Sequence, residues 1–161
     1  MALRRFTEFY ESRYFEVWEY VPPEVFKQFG EEAWWFVNPR LVMMDDMLRE
    51  YFGVPVIINN WWSKNGKTGG NRVASGFRPA SCAVGAALSQ HRLGNASDKL
   101  FKGLDQLKVQ KEIISKPNLF PYITAIEVGV NWVHTDVRNS FSAEIMQFDN
   151  SGKRVGGKSS I

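Results

Sequence analysis

The only two histidines of this 161-residue chain stand among residues that suit a metal ion. His91 precedes Asp98 by seven positions, with Gly94 between them, and His134 follows His91 by 43 positions. A catalytic zinc ion usually binds three protein ligands through nitrogen and oxygen and keeps a fourth position for water. Because a glycine lets the chain turn between the first two residues, His91, Asp98 and His134 are candidate ligands of one ion.

Two charged residues would share a strand face with His134. Alternate residues of a strand point to the same side, so Asp136 and Arg138 would stand beside the imidazole. Asp136 could be a fourth ligand. The preferred interpretation is an acceptor that fixes the tautomer of an imidazole, with Arg138 as its ion-pair partner. Histidines in globular domains are more often hydrogen-bonded polar residues than metal ligands. These residues alone are therefore also consistent with a protein that binds no metal.

Composition restricts the class of protein. Apolar residues make up 44% of the chain and charged residues 23%, which suits one folded domain with a core. The single cysteine, Cys82, excludes a disulfide framework and a multi-cysteine zinc cluster and is given no role. The net charge of +3 is too balanced to predict a nucleic-acid partner. No apolar run approaches the roughly 20 residues of a membrane span, and no signal-peptide core is recognised, so synthesis in the cytoplasm and no membrane partner are expected.

Periodicity and turn residues predict an α+β fold with a small antiparallel sheet and flanking helices. Apolar residues at three- and four-residue steps predict a helix over 39–52, which begins at Pro39 and ends before Gly53. Three late segments at hairpin spacing favour antiparallel strands. The other predicted elements are helices over 24–29 and 104–115 and strands over 54–59, 99–101, 122–127, 132–137 and 143–148.

The chain divides into three regions. Residues 1–38 are predicted as an N-terminal arm and short helix packed on the body, with the aromatic run 34–36 as an anchor in the core. Residues 39–148 form the main domain, and residues 149–161 form a flexible C-terminal tail. The segment 63–75, rich in Ser, Lys, Asn and Gly, is predicted as a mobile surface loop that could shape a cleft.

Three motifs carry a resemblance to a known family. They are Ser89-x-His91-x-x-Gly94-x-Ala96-x-Asp98, Trp132-Val-His134-x-Asp136-x-Arg138 and Ser75-Gly76-Phe77-Arg78-Pro79. Together they closely resemble the zinc-dependent D-Ala-D-Ala carboxypeptidases, which share their fold with the hedgehog signalling domain and include phage and bacterial enzymes that cut peptidoglycan stem peptides. The resemblance covers roughly residues 39–148 and implies a hedgehog/DD-peptidase-like fold for them. The long lead before residue 39 looks most like that of small phage or prophage members.

The resemblance implies roles for individual residues. His91, Asp98 and His134 would be zinc ligands. Arg78 would match the arginine that binds the substrate carbonyl or the developing oxyanion, a role suited to its fixed charge and donors, although a structural ion pair is an equal alternative. Ser89 could hydrogen-bond the substrate or cap its turn, and the turn is favoured.

One departure from the family concerns the general base. Many members carry Glu or Asp three positions before the last histidine, but this chain has Asn131 there, and an amide cannot take a proton at neutral pH. Glu127 is the preferred substitute if a turn between two strands brings it to the zinc-bound water, and Asp136 is the next candidate. The loss of the usual base is also consistent with a slow enzyme or a binding module.

The expected function is therefore a zinc metallopeptidase that hydrolyses bonds of bacterial cell-wall stem peptides, as a carboxypeptidase or an endolysin-type endopeptidase. The alternative is a non-catalytic module of the same fold that binds zinc or peptidoglycan, and a third interpretation is a structural protein without metal. The partner would be a peptidoglycan stem peptide, reached after release from the cytoplasm or as part of a virion. A monomer is expected.

Overall fold

The computed structural model describes residues 10–63, 65–66, 69–140 and 142–157, and within them the chain forms a mixed α+β fold. Six strands make one sheet. They are β1 (Val56–Ile57), β2 (Ala96–Phe101), β3 (Ala125–Glu127), β4 (Val133–Asp136), β5 (Met146–Phe148) and β6 (Arg154–Gly156). The three α-helices of the described residues are α1 (Pro23–Phe29), α2 (Pro39–Phe52) and α3 (Gln106–Ser115).

The strand order is β1-β2-β4-β3-β5-β6, and one pair of strands is parallel. β3 pairs with β5 in parallel, whereas the other four pairs are antiparallel. The prediction of a purely antiparallel sheet is therefore wrong at this pair. Both edges of β4 are already occupied by β2 and β3, so the chain leaving β4 crosses over and joins the free edge of β3.

Helix α2 occupies the predicted residues because its ends are well specified. Pro39 is at the first turn, the Asn38 side chain accepts a hydrogen bond from the Arg40 N–H at 3.0 Å, and Gly53 closes the helix with a φ of +65°. Helix α3 begins two residues later than predicted, because Asp105 is its N-cap and accepts from the Leu107 N–H at 2.9 Å.

A buried ion pair joins α2 to the sheet. Lys99 on β2 and Asp45 on α2 are both 0% exposed, and Lys99 Nζ lies 2.8 Å from Asp45 Oδ1. The same ammonium donates to Thr135 Oγ1 at 2.7 Å and to Ser97 Oγ at 2.8 Å. Successive residues of a strand face opposite sides, so Ser97 and Lys99 point into this core while Asp98 points to the other face.

The described part of the N-terminal segment lies against α2. Asp46, which is buried, accepts hydrogen bonds from Tyr10 Oη, Ser12 Oγ and the Arg13 N–H at 2.7–2.9 Å. The aromatic run 34–36 lies in a 3₁₀ helix over Gly30–Phe36, and its middle residue, Trp35, is 71% exposed rather than in the core.

The segment predicted as a loose tail contains strand β6. Asp149 begins a tight turn in which its N–H donates to Lys153 O and its own carbonyl accepts from the Gly152 N–H, both at 2.9 Å. Gly152 has a φ of +80°, a conformation that favours glycine. The turn reverses the chain, so β6 fills the open edge of β5. No described helix has both the length and the apolar character that crossing a membrane requires.

Candidate metal centre

Three neighbouring strands bring Asp98, His134 and Glu127 into one row. In the sheet register, Asp98 of β2 lies directly opposite His134 of β4, and Glu127 of β3 lies opposite the same histidine on its other side. Residues opposite each other across strands share one face of the sheet. The row therefore places an imidazole between two carboxylates on the face opposite the buried Lys99.

His91 reaches this row from a short 3₁₀ helix over Gln90–Leu93. The helix ends at Gly94, whose φ is +69°, and a Cβ at this position would lie 1.9 Å from Phe36 O. Both the backbone conformation and the close approach of the neighbouring chain therefore require glycine. The turn that the sequence predicts at Gly94 brings His91, which is 2% exposed, back over β2.

The potential ligand atoms of the three predicted residues converge on one point. His134 Nδ1 lies 2.8 Å from Asp98 Oδ1, and His91 Nε2 lies 3.3 Å from the same oxygen. The two ring nitrogens are 3.2 Å apart, and all three atoms lie within 4.8 Å of one another. This group could hold a metal ion. Two imidazole nitrogens and one carboxylate oxygen are a donor set that zinc accepts.

The second nitrogen of each imidazole has its own partner. His91 Nδ1 lies 2.8 Å from Gly76 O, so a hydrogen on Nδ1 donates to that carbonyl and leaves the lone pair of Nε2 for an ion. His134 Nε2 lies 3.4 Å from Asp136 Oδ2. Asp136 is fully buried and is not one of the converging residues, which agrees with its preferred role outside the ligands. Arg138 fixes Asp136 through Nε, 2.8 Å from Oδ1, and through Nη2 on Oδ2.

The charges around His134 favour its protonated form. Burial lowers the pKa of His134, but hydrogen bonds and charges from Asp136 and Asp98 outweigh burial and raise the pKa to about 9. Burial raises the pKa of Asp98, but the two histidines outweigh that effect and hold it well below its ordinary value. A metal ion that binds His134 Nδ1 must therefore displace a proton.

His91 behaves differently from His134. Burial lowers the pKa of His91, and Asp98 opposes this only in part. His91 is therefore ready as a neutral ligand at neutral pH, whereas His134 becomes one by losing its proton.

Arg78 makes an ion pair with Asp98. Its Nη2 lies 2.8 Å from Asp98 Oδ2, and its Nε donates to Ala74 O at 2.7 Å. This contact is the structural ion pair that the sequence leaves open, and it leaves Asp98 Oδ1 facing the histidines. Arg78 also lines the cleft described next.

A cleft of about 500 Å³ opens beside the three converging residues. Glu127, Trp132 and Ser89 line it, and two loop segments, residues 84–86 and the β5–β6 turn at 148–152, contribute to its walls. None of the described residues in 63–75 lines the cleft, so the prediction that this loop shapes the cleft is not seen for them. Residues 64, 67 and 68 lie outside the described part of the chain. The Asn150-Ser151-Gly152 turn signal before Arg154-Val155 could have revealed the second wall.

Glu127 and Asp98 both line the cleft, and of these two carboxylates Glu127 is the one outside the converging group. Burial raises the pKa of Glu127, the charge of Asp98 adds to the rise, and His134 and Arg78 oppose it. Groups that exchange protons in catalysis often have such shifted pKa values. Asn131 is exposed and lies outside β3 and β4, in the chain that joins them. Ser89 is the N-cap residue of the 3₁₀ helix, and its carbonyl accepts from the Arg92 N–H at 2.9 Å. Its side chain makes no capping hydrogen bond, so the favoured role of the side chain in the turn is not seen.

No protein-family model, curated protein or solved structure shows a significant match to this chain.

Proposed function

We propose that this chain is a zinc-dependent peptidase that hydrolyses short peptides of the bacterial cell wall. The observation that supports this best is the convergence of His91, Asp98 and His134 at one end of a cleft that Glu127 also lines. Two nitrogens and one oxygen leave a tetrahedral ion one position for water. The cleft volume, about 500 Å³, is within the range of sites that bind small molecules and short peptides.

The chain supplies the remaining groups of a hydrolysis. When bound, zinc would acidify its water and polarise the scissile carbonyl. Glu127 accepts a proton from the attacking water and passes it to the leaving amine, a role that its raised pKa supports. Arg78 and the two imidazole anchors, Gly76 O and Asp136, keep the ligands in place. Arg78 also offers its positive charge to an oxyanion in the cleft.

The substrate class and the finer fold assignment rest on the motifs. The histidine motifs and the Ser75–Pro79 segment resemble the D-Ala-D-Ala carboxypeptidases, so we propose the hedgehog/DD-peptidase type of fold and a peptidoglycan stem peptide as substrate. Action at the cell wall, after release or from a virion, belongs to the same proposal. The alternative of a non-catalytic zinc or peptidoglycan module is favoured by one observation, namely that Asn131 replaces the usual base.

Hydrolysis of a synthetic stem pentapeptide ending in D-Ala-D-Ala tests the proposal. Turnover should disappear with a chelator and return with added zinc. Glu127→Gln should keep the zinc and lose turnover by roughly 100-fold, the size typical of a removed general acid or base. Glu112→Gln is the matched control, since Glu112 lies on α3 in an exposed pair with Lys116.

Three outcomes separate the interpretations. Zinc-dependent turnover that Glu127→Gln removes and Glu112→Gln keeps supports the peptidase. Bound zinc and bound peptide without turnover identify the non-catalytic module. Failure of the chain to bind zinc contradicts the peptidase and the zinc-binding module, and bound peptide without zinc would leave only the peptidoglycan-binding module.

A further inference from the structure

Arg92 makes hydrogen bonds along the segment between Arg78 and Gln90, which is named the 79–89 loop. Its guanidinium donates to four backbone carbonyls of this loop. The distances are 3.0 Å from Nη1 to Pro79 O, 3.4 Å from Nη1 to Ala80 O, 2.9 Å from Nη2 to Cys82 O and 3.2 Å from Nε to Ala86 O. The planar fork of arginine suits this arrangement because several donors have fixed directions.

The 79–89 loop has little else to fix its shape. It contains no helix or strand, and every residue from 83 to 88 is exposed, with Leu88 at 90% and Val84 at 53%. Exposed irregular segments open easily unless side chains satisfy their backbone groups. Two backbone turns, from the Cys82 N–H to Pro79 O at 2.9 Å and from the Ser89 N–H to Ala86 O at 3.1 Å, shape the loop locally. Arg92 supplies the side-chain hydrogen bonds that hold these turns in one arrangement.

The tethered loop forms one wall of the cleft. Val84, Gly85 and Ala86 line it, as does the β5–β6 turn. Gly85 has a φ of +87°, and a Cβ there would lie 2.9 Å from Arg78 Nη1. The loop thus approaches the arginine that holds Asp98, and the side chains that it presents at this point are small.

We infer that Arg92 holds the 79–89 loop as a preformed wall that binds the peptide segment next to the scissile bond. Arg92 is then a positioning residue, since it acts through the loop. The inference rests on the proposed function for the identity of the ligand. A preformed wall lowers the entropy cost of binding, so its loss should weaken peptide binding more than the chemical step.

Arg92→Ala and Arg92→Lys test the inference in the zinc-loaded full chain, with Arg13→Ala as control. Arg13 is an exposed arginine whose partner is Glu50, outside the cleft. With the synthetic pentapeptide, Arg92→Ala should raise KM roughly tenfold while kcat changes less than about threefold. Zinc affinity should stay unchanged, and hydrogen exchange should speed up only at amides of the 79–89 loop. Arg92→Lys keeps the charge with fewer fixed donors and should raise KM by a smaller factor. This second variant keeps the test possible if Arg92→Ala fails to fold.

Two results overturn the inference while leaving the peptidase intact. One is an unchanged KM in both Arg92 variants, as in Arg13→Ala. The other is a loss of zinc affinity as large as the change in KM, which would show that Arg92 only supports the turn of His91. If the wild-type chain binds the pentapeptide without hydrolysing it, the proposed peptidase fails, and weaker binding by Arg92→Ala still supports the wall. If the wild-type chain does not bind the pentapeptide at all, the inference fails as well.

Discussion

Breaking the buried ion pair between Lys99 and Asp45 should strongly destabilise the protein. Both side chains are 0% exposed and lie 2.8 Å apart, so Lys99→Met leaves the Asp45 carboxylate buried without its cation. Removing one partner of such a pair typically costs about 3–5 kcal/mol. Tyr20 Oη and Ser97 Oγ still donate to Asp45, at 3.1 and 2.7 Å, which places the expected loss near the lower end of that range.

Urea unfolding of the metal-free protein measures this loss, and two further variants interpret it. Lys99→Met with Asp45→Asn should recover much of the stability, because neither charge of this pair remains while the amide oxygen can still accept. Lys116→Met removes an exposed pair with Glu112, also 2.8 Å long, and should cost far less than Lys99→Met because water screens exposed charges. A Lys99→Met variant that loses no more stability than Lys116→Met, or a double variant less stable than Lys99→Met alone, would show that the buried pair does not stabilise the fold in this way.

Three further predictions concern the metal centre and the pH dependence of stability. Asp136→Asn should weaken zinc binding roughly 10- to 100-fold in a chelator competition, because the partner of His134 Nε2 loses its charge; an unchanged affinity would count against this contact. Zinc affinity should rise between pH 6 and about 9, since zinc displaces the proton that His134 holds with a pKa of about 9; an affinity independent of pH would contradict this. Burial raises the pKa of Glu19 from 4.5 to about 7. Between these two pH values the folded state therefore binds more protons than the unfolded state, and the free energy of unfolding falls as the pH rises. The full loss is roughly 3 kcal/mol at 1.36 kcal/mol per unit. Glu19→Gln should therefore make the slope of the unfolding free energy between pH 4.5 and 7 less steep, while the contributions of Glu127 and His134, whose pKa values are also raised, should remain; a slope unchanged by Glu19→Gln would place its origin elsewhere.

Local signals in the sequence account for the elements that could be predicted. Helix α2 has a proline at its start and a glycine after its end, and both act within one or two turns. The convergence of the histidine motifs was also predictable, because Gly94 turns the chain between His91 and Asp98 and a strand carries His134.

Long-range pairing explains what the sequence could not predict. The partner of β5 is β3 rather than β4, and this depends on which strand edges are already filled, not on residues near β5. The same is true of the cleft walls. The 79–89 loop has no periodicity, and its position depends on four hydrogen bonds to Arg92 that no spacing rule predicts.

X-ray absorption at the zinc edge identifies the atoms that bind the ion in the zinc-loaded chain. We expect one zinc per chain, two imidazole ligands and oxygen ligands at about 2.0–2.2 Å, with one imidazole lost in His134→Ala. This ligand assignment would be contradicted by a chain that takes up no zinc, by a spectrum that His134→Ala leaves unchanged, or by a sulfur ligand near about 2.3 Å, which would place the ion at Cys82 instead.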